Sequence, residues 1–282
     1  MAARRRGAFA GDLSFAIDSA RRAGTVLMDR YERLERIHHK SARDVVTEAD
    51  HMSEDLILSA IRLHSPGDGI LAEESGAHVL ASGAAPTTGK GRVWVVDPLD
   101  GTVNYANGIP FFCVSIALVY DGRPLIGVVH DPTRGETFAA TSGGPAMLFD
   151  KVTPVGRTIV ASDKEKLSDF VISLALAGRA VATRVRAMRK EIRISRSMGA
   201  AALALAYVGH GRFDAFVQSA GLSVWDVAAA GLIAERAGAV VTDLTGGPWF
   251  DLARETRKMS LLAAPAAHHQ TLLDLAREQP RT

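Results

Sequence analysis

The sequence predicts a layered arrangement of α-helices and β-sheets in two halves. Three observations predict it. Residues 12–64 carry two stretches with apolar side chains at steps of three and four, the period of amphipathic helices. Residues 92–141 carry four β-rich runs with Gly-containing turns among them, the pattern of an antiparallel sheet. Beyond residue 150, strand-like and helix-like runs alternate, as they do where helices cover a sheet. The chain has 282 residues, 47% apolar and 23% charged, enough for one large unit or two closely joined halves. No linker marks the division near Asp150.

Each element follows from local chemistry. Leu13, Ala16, Ile17, Ala20, Gly24, Leu27, Met28, Tyr31 and Leu34 place a helix over Asp12–Leu34. Thr47-Glu48-Ala49-Asp50 has the form of a capping box and opens a second helix, which Ser65-Pro66-Gly67 stops. Ile70–Ala72 reads as a strand leading into Glu73-Glu74, and Ala77–Gly91 as a surface loop. Arg92–Val96, Phe111–Tyr120, Leu125–His130 and Glu136–Thr141 read as strands, the first ending at Asp97-Pro98. In the second half, strand-like Thr158–Ala161 precedes a helix over Lys166–Lys190 and a strand at Ile192–Ile194. Gly199–Gly209 reads as a small-residue helix, Phe213–Gln218 as a strand and Ser223–Ala237 as a helix. Val240–Asp243 and Leu261–Ala264 read as strands, and Ala267–Glu278 as the closing helix.

Thirty-three Lys and Arg against 31 Asp and Glu leave a net charge of +2. This balance offers no electrostatic footprint for nucleic acid or an anionic membrane. Arg4, Arg5 and Arg6 sit at a terminus expected to be mobile, with no apolar stretch behind them as in a signal peptide. The longest apolar run, Phe111–Tyr120, is about half of what a bilayer needs. The single cysteine, Cys113, excludes an internal disulfide and a Cys-based zinc site. Together these point to a soluble, cytoplasmic protein.

The most informative segment is Trp94-Val95-Val96-Asp97-Pro98-Leu99-Asp100-Gly101-Thr102. A buried strand delivers two carboxylates, three residues apart, into a turn. Pro98 keeps Asp97 extended, and Gly101 permits a backbone twist that other residues resist. Gly101 and Thr102 can present N–H groups of the kind that bind anions at a helix start. Carboxylates beside such a site would repel the anion, and a divalent cation between them resolves the conflict. Oxygen ligands suit magnesium. The competing reading is an ordinary solvated turn of Asp, Pro and Gly.

Three further segments agree with the metal reading: Asp44–Asp50, Leu71-Ala72-Glu73-Glu74-Ser75, and Ser223-Val224-Trp225-Asp226 running to Gly231. In this order, the four segments resemble the inositol monophosphatase superfamily of lithium-sensitive, Mg2+-dependent phosphatases, from roughly Leu13 to the last helix. The resemblance implies alternating α-β-α-β-α layers of the inositol monophosphatase and fructose-1,6-bisphosphatase type. It implies one catalytic unit over 1–282, in which 8–149 holds most metal ligands and 150–282 supplies Asp226 and substrate contacts. Two or three Mg2+ ions and a homodimer are implied with it.

Roles then follow residue by residue. Glu73, Asp97 and the Leu99 carbonyl match ligands of one metal, and Asp97, Asp100 and Asp226 those of a second. Gly101 and Thr102 match phosphate-binding N–H groups. Asp50 and Thr102, with Glu73 nearby, match the groups that orient or deprotonate the attacking water. Asp100, Ala201, Gln218 and Asp226 match substrate contacts, and Lys40 a mobile-loop lysine. The implied reaction is in-line attack of a metal-activated water, without a phosphoenzyme. Two carboxylates about 4 Å apart repel by roughly 4 kcal/mol at an effective dielectric near 20, so converging acids need cations to stay ionised.

Each residue also has a plainer reading. Asp50 closes a capping box, Asp226 sits where a helix dipole favours an acid, and Lys40 is an exposed lysine by default. The nine histidines offer no metal pattern. Members acting on inositol phosphate carry a Glu shortly before the Trp-Asp motif, whereas Val217–Ser223 here holds no acid. Inositol 1-phosphate or a related polyol phosphate is the expected substrate. Histidinol phosphate, fructose 1,6-bisphosphate and 3′-phosphoadenosine 5′-phosphate are alternatives, and a non-catalytic regulator that binds a phosphorylated metabolite is the alternative of another class.

Overall fold

Successive strand residues enter different cores, and that alternation sets the layers. The computed structural model describes residues 2–33, 37–41, 44–78 and 91–277. Helices α1 (Ala2–Arg30) and α2 (Glu48–His64) flank a hairpin of β1 (Ile37–Ser41) and β2 (Asp44–Thr47). Eight strands form the first sheet: β3 (Gly69–Ala72), β4 (Gly76–His78), β5 (Arg92–Asp100), β6 (Cys113–Tyr120), β7 (Arg123–Asp131), β8 (Glu136–Thr141), β9 (Met147–Phe149) and β10 (Arg157–Thr158). Their order is β10-β9-β8-β7-β6-β5-β3-β4, with only β3 and β5 parallel. A one-turn helix, α3 (Thr102–Ala106), follows β5.

The second sheet holds β11 (Val171–Ala175), β12 (Ile194–Arg196), β13 (Ala215–Leu222), β14 (Val240–Thr242) and β15 (Met259–Ala264), in the order β12-β11-β13-β15-β14. Helices α4 (Val181–Glu191), α5 (Ala201–Gly209), α6 (Val224–Arg236) and α7 (Ala266–Ala276) alternate with its strands.

Trp94 and Val96 of β5, with Val114, Ile116 and Leu118 of β6, enter the core under α1 and α2. Val93, Val95, Cys113, Ala117 and Val119 enter the opposite core, which α5 and α6 fill. Phe216 of β13 joins that central core, while Ala215 and Val217 face an outer one with α7 residues Leu272 and Leu273. The result is α-β-α-β-α layering, as expected. Full burial of an apolar side chain contributes about 1.5–3 kcal/mol, so a one-residue register slip, which would turn each face inside out, is strongly disfavoured. Among the described residues, no helix is long and apolar enough to cross a membrane.

The central helices are thin. Ala202, Ala204, Ala206 and Ala228–Ala230 are all buried, so α5 and α6 fit between two sheets. The tightest approach is at β7, where a Cβ on Gly127 would lie 2.5 Å from the Ala229 carbonyl oxygen and 2.8 Å from its Cα.

Some expectations need correction. Helix α1 begins at Ala2, so Arg4–Arg6 lie within it; the Ala and Arg there are strong helix formers. Lys166–Lys190 is not one helix. It comprises a 3-10 turn at Leu167–Asp169, strand β11 and then α4. β-Branched Val171-Ile172 favours a strand, and Gly178 at φ 87° breaks the chain before α4. The expected strand at Ile192–Ile194 forms as β12, two residues later. The run at Thr158–Ala161 pairs as a strand only through Thr158. Most of Ala77–Gly91 and the ends of the first and last expected helices, Leu34 and Glu278, lie outside the described residues.

Gly127→Ala is expected to lower stability by about 1–3 kcal/mol, because only backbone stands in the way and overpacking cannot be relieved by a rotamer change. Urea unfolding measures this against Gly143→Ala, where nothing lies within 4 Å of the added Cβ.

Candidate active site

Strand β5 does not end at Asp97; it runs to Asp100 through an irregularity. Asp97 faces Ser115 and Asp100 faces Cys113, so three steps along β5 match two along β6. The extra residue is a β-bulge, and Pro98, which has no N–H to give, suits it. Residues three apart on a regular strand face opposite ways. The bulge instead brings Asp97 and Asp100 to the side that faces α5 and α6, while Leu99 turns into the core under α1 and α2. Leu99 N–H donates to Asp97 Oδ1 at 3.1 Å.

Asp226 arrives from the second half. It is the third residue of α6, and its Oδ2 accepts the Ser223 N–H at 2.7 Å. One oxygen each from Asp97, Asp100 and Asp226 lie within 4.8 Å of one another. Glu73 follows β3, its N–H donating to Val96 O at 3.1 Å, and its charge acts on Asp97. These acids line a cavity of about 330 Å³ together with Leu99, Gly101, Thr102, Ala201 and Gln218.

Asp100 also joins the halves. Its Oδ1 accepts the Ala201 N–H at 3.0 Å and its Oδ2 the Leu203 N–H at 3.2 Å, both from the first turn of α5. Nearby, Asn104 donates to Phe111 O at 2.8 Å and to Met198 O at 2.7 Å. Gly101, at φ 94°, needs the left-handed backbone that glycine tolerates. A Cβ there would stand 2.9 Å from Ala200 Cβ and 3.1 Å from Phe111 O.

Electrostatics follow from burial. Asp97 and Asp226 are pushed well above the usual carboxylate range, first by desolvation and then by neighbouring carboxylates, Glu73 and Asp100 foremost. Asp100 rises only to about 6, because the α5 N–H groups oppose its desolvation. The Cys113 thiol is pushed up by burial and by Asp100; its Sγ lies 3.6 Å from Asp100 Oδ2. An all-oxygen donor set of carboxylates that repel one another fits a hard divalent cation.

The inositol monophosphatase family model matches residues 12–281. The chain belongs to that family. A protein named Nus factor SuhB from Xylella fastidiosa is 37% identical over 243 residues, which cover 83% of this chain and 82% of the relative. A fructose-1,6-bisphosphatase/inositol-1-monophosphatase from Thermotoga maritima is 35% identical over 235 residues, covering 83% and 85%. The crystal structure of the extragenic suppressor protein suhB from Bartonella henselae aligns with a TM-score of 0.85 at 31% identity, over 96% of this chain and 100% of that one.

The family is metal-dependent, and most of the site residues expected from the sequence line one cavity. Asp50 stands behind it. Thr102 Oγ1 lies 3.0 Å from Asp50 Oδ1 and 3.0 Å from Leu99 O, while Asp50 Oδ2 accepts the Thr47 N–H at 2.9 Å. The capping box and the Thr102 contact therefore use different oxygens of one carboxylate. Burial raises Asp50 to about 6. Ala201, matched to a substrate contact, lines the cavity with its N–H bonded to Asp100. Gln218 donates to Ala220 O at 3.1 Å. Lys40 lies in β1 rather than in a loop, and its side chain is outside the described residues.

Residues that sequence reasoning missed support this frame. Ser53 Oγ donates to Pro98 O at 2.9 Å, and Glu54 accepts the N–H groups of Glu74 at 3.0 Å and Ser75 at 2.9 Å. Asp50, Ser53 and Glu54 share one helix face at i, i+3 and i+4, a spacing visible in the sequence. Ser115 Oγ donates to Trp225 O at 3.2 Å, tying β6 to α6.

The folded, metal-free protein holds protons that the unfolded chain releases. That contribution to stability is complete below about pH 4; Asp100 gives up its share as pH rises through about 6, and Asp97 and Asp226, which are raised further, give up theirs at higher pH. A cation held by these carboxylates would remove the proton uptake. The gap in Tm between Mg2+-loaded and EDTA-treated protein is therefore expected to widen from pH 4 to 7, and Asp226→Asn to narrow it. A constant gap would count against a cation among these carboxylates.

Proposed function

We propose that this chain is a Mg2+-dependent phosphomonoesterase acting on a small polyol or sugar phosphate, inositol 1-phosphate being the substrate expected from the sequence. The convergence of Asp97, Asp100 and Asp226 in one cavity carries the reading. Glu73, Asp97, Asp100, Asp226 and the Leu99 carbonyl would hold the Mg2+ ions. Bound there, two such ions would offset the carboxylate charge, activate water and stabilise the departing alkoxide.

The chain's own groups do the rest. Gly101 and Thr102 offer backbone N–H groups at the start of α3, where an anionic oxygen is favoured. With its hydroxyl proton directed to Asp50, Thr102 keeps lone pairs that accept a proton from water. Asp50, near 6, suits a group that takes up a proton at neutral pH. Thr47 N–H and Oγ1, 2.9 and 2.6 Å from Asp50 Oδ2, hold it in place. A homodimer is part of this reading, and analytical ultracentrifugation tests it.

A second reading rests on two observations. The Xylella fastidiosa relative is named a Nus factor. Arg179, Arg186, Arg189, Lys190, Arg193 and Arg196 are exposed in one stretch whose only acid is Glu191. A non-catalytic role with an anionic partner would use that surface. It requires phosphate release to be absent for every ester tested with Mg2+.

A phosphate-release screen over polyol, sugar, histidinol and nucleotide phosphates, with and without Mg2+, separates the two. Asp97→Asn is expected to abolish Mg2+-dependent release while remaining folded; normal turnover would sink the metal assignment. Thr102→Ala is expected to lower kcat by about a hundredfold with little change in KM. An unchanged kcat would remove Thr102 and Asp50 from proton handling.

A further inference from the structure

Arg257 combines a disfavoured backbone with a place in the cavity. It lies in the loop before β15 at φ 62°, in the left-handed region that a long side chain rarely adopts. Both of its backbone groups are fixed, one by the end of β13 and the other by the residue that caps α6. Its N–H donates to Ser223 Oγ at 3.1 Å, and its carbonyl accepts the Gly221 N–H at 3.2 Å. Among the described residues lining the cavity, Arg257 carries the one positive charge. A glycine would meet the same backbone demand without strain. A cation kept there at an energetic cost points to a use for its side chain.

The neighbouring stretch narrows that use. Val217–Ser223 contains no acid, so this wall lacks the carboxylate that would accept bonds from neutral hydroxyls. Gln218 and Gly221 line the cavity beside Arg257. We infer that Arg257 is a specificity-determining residue whose guanidinium binds a second anionic group of the substrate, at the end remote from the phosphate that is cleaved. A guanidinium pairs well with phosphate or carboxylate oxygens and disfavours an amine such as that of histidinol phosphate. The inference rests on the phosphatase reading and narrows it to bisphosphates and related doubly anionic esters. Arg257 also acts on Asp226, lowering its carboxyl against the effect of burial. A side chain that served only as this counterion would matter equally for every ester.

The test compares kcat/KM with Mg2+ for fructose 1,6-bisphosphate against fructose 1-phosphate and fructose 6-phosphate. Wild type, Arg257→Gly and Arg257→Lys are measured together. Arg257→Gly, which relieves the backbone, is expected to lower the bisphosphate-to-monophosphate ratio about tenfold or more, and Arg257→Lys to keep it within about threefold. An equal fall on all three esters, or an unchanged ratio, overturns the inference and leaves the phosphatase reading standing. Absence of phosphate release by wild type from the three fructose esters overturns the inference, and absence from every ester of the wider screen overturns the phosphatase reading as well.

Discussion

The bond between Asp100 and the first turn of α5 is the contact on which the remaining site geometry depends. A carboxylate buried among other carboxylates should lose its proton reluctantly. N–H groups at a helix N-terminus are among the few neutral partners that favour its charged form. Asp100 receives two of them from the other half of the chain. One interaction therefore tempers the repulsion within the cluster and fixes the seam on which the cluster sits. The surrounding details serve that seam: the glycine at 101 that lets α5 come close, the Asn104 bridge across it, and the bulge that turns Asp97 and Asp100 to one side.

Much of this is legible in the amino-acid order. The Asp97–Thr102 segment and the Ser223–Gly231 segment name the acids, because chemistry demands those residue types. Alternation in β5 and β6, and helical periodicity in α2 and α6, reveal the elements that carry them. Three things escape a reading along the chain. Bulges depend on cross-strand pairing, so Asp97-Pro98 looks like the end of a strand. Val171–Ala175 is too short for its period to stand out from the helical pattern that follows. The N–H of Ala201 is claimed by a residue 101 positions away, and local sequence holds no sign of that. Arg257 escapes as well, because a single arginine between Thr256 and Lys258 reads as solvated surface.

Net charge is a poor guide to local fields. The +2 total averages an acidic cavity with a basic stretch through α4 and β12. The two excesses lie close in the fold: Ser197 and Met198, directly after the basic Arg196, line the cavity. Such an arrangement pulls anions toward the mouth from a distance while rejecting them from the bare acidic floor. On the proposed reading, entry of an anionic ester would therefore depend on cations already held in the cavity.

Helix α6 meets β7 with no side chain between them at Gly127. Asp226 rides on the first turn of that helix, so its position is gauged by a glycine in another element, almost a hundred residues earlier in the chain. A methyl group added at that distant contact would work like a shim under one jaw of a vice. Every acid would remain, each with its chemistry intact, yet the jaws would no longer close to the width of an ion.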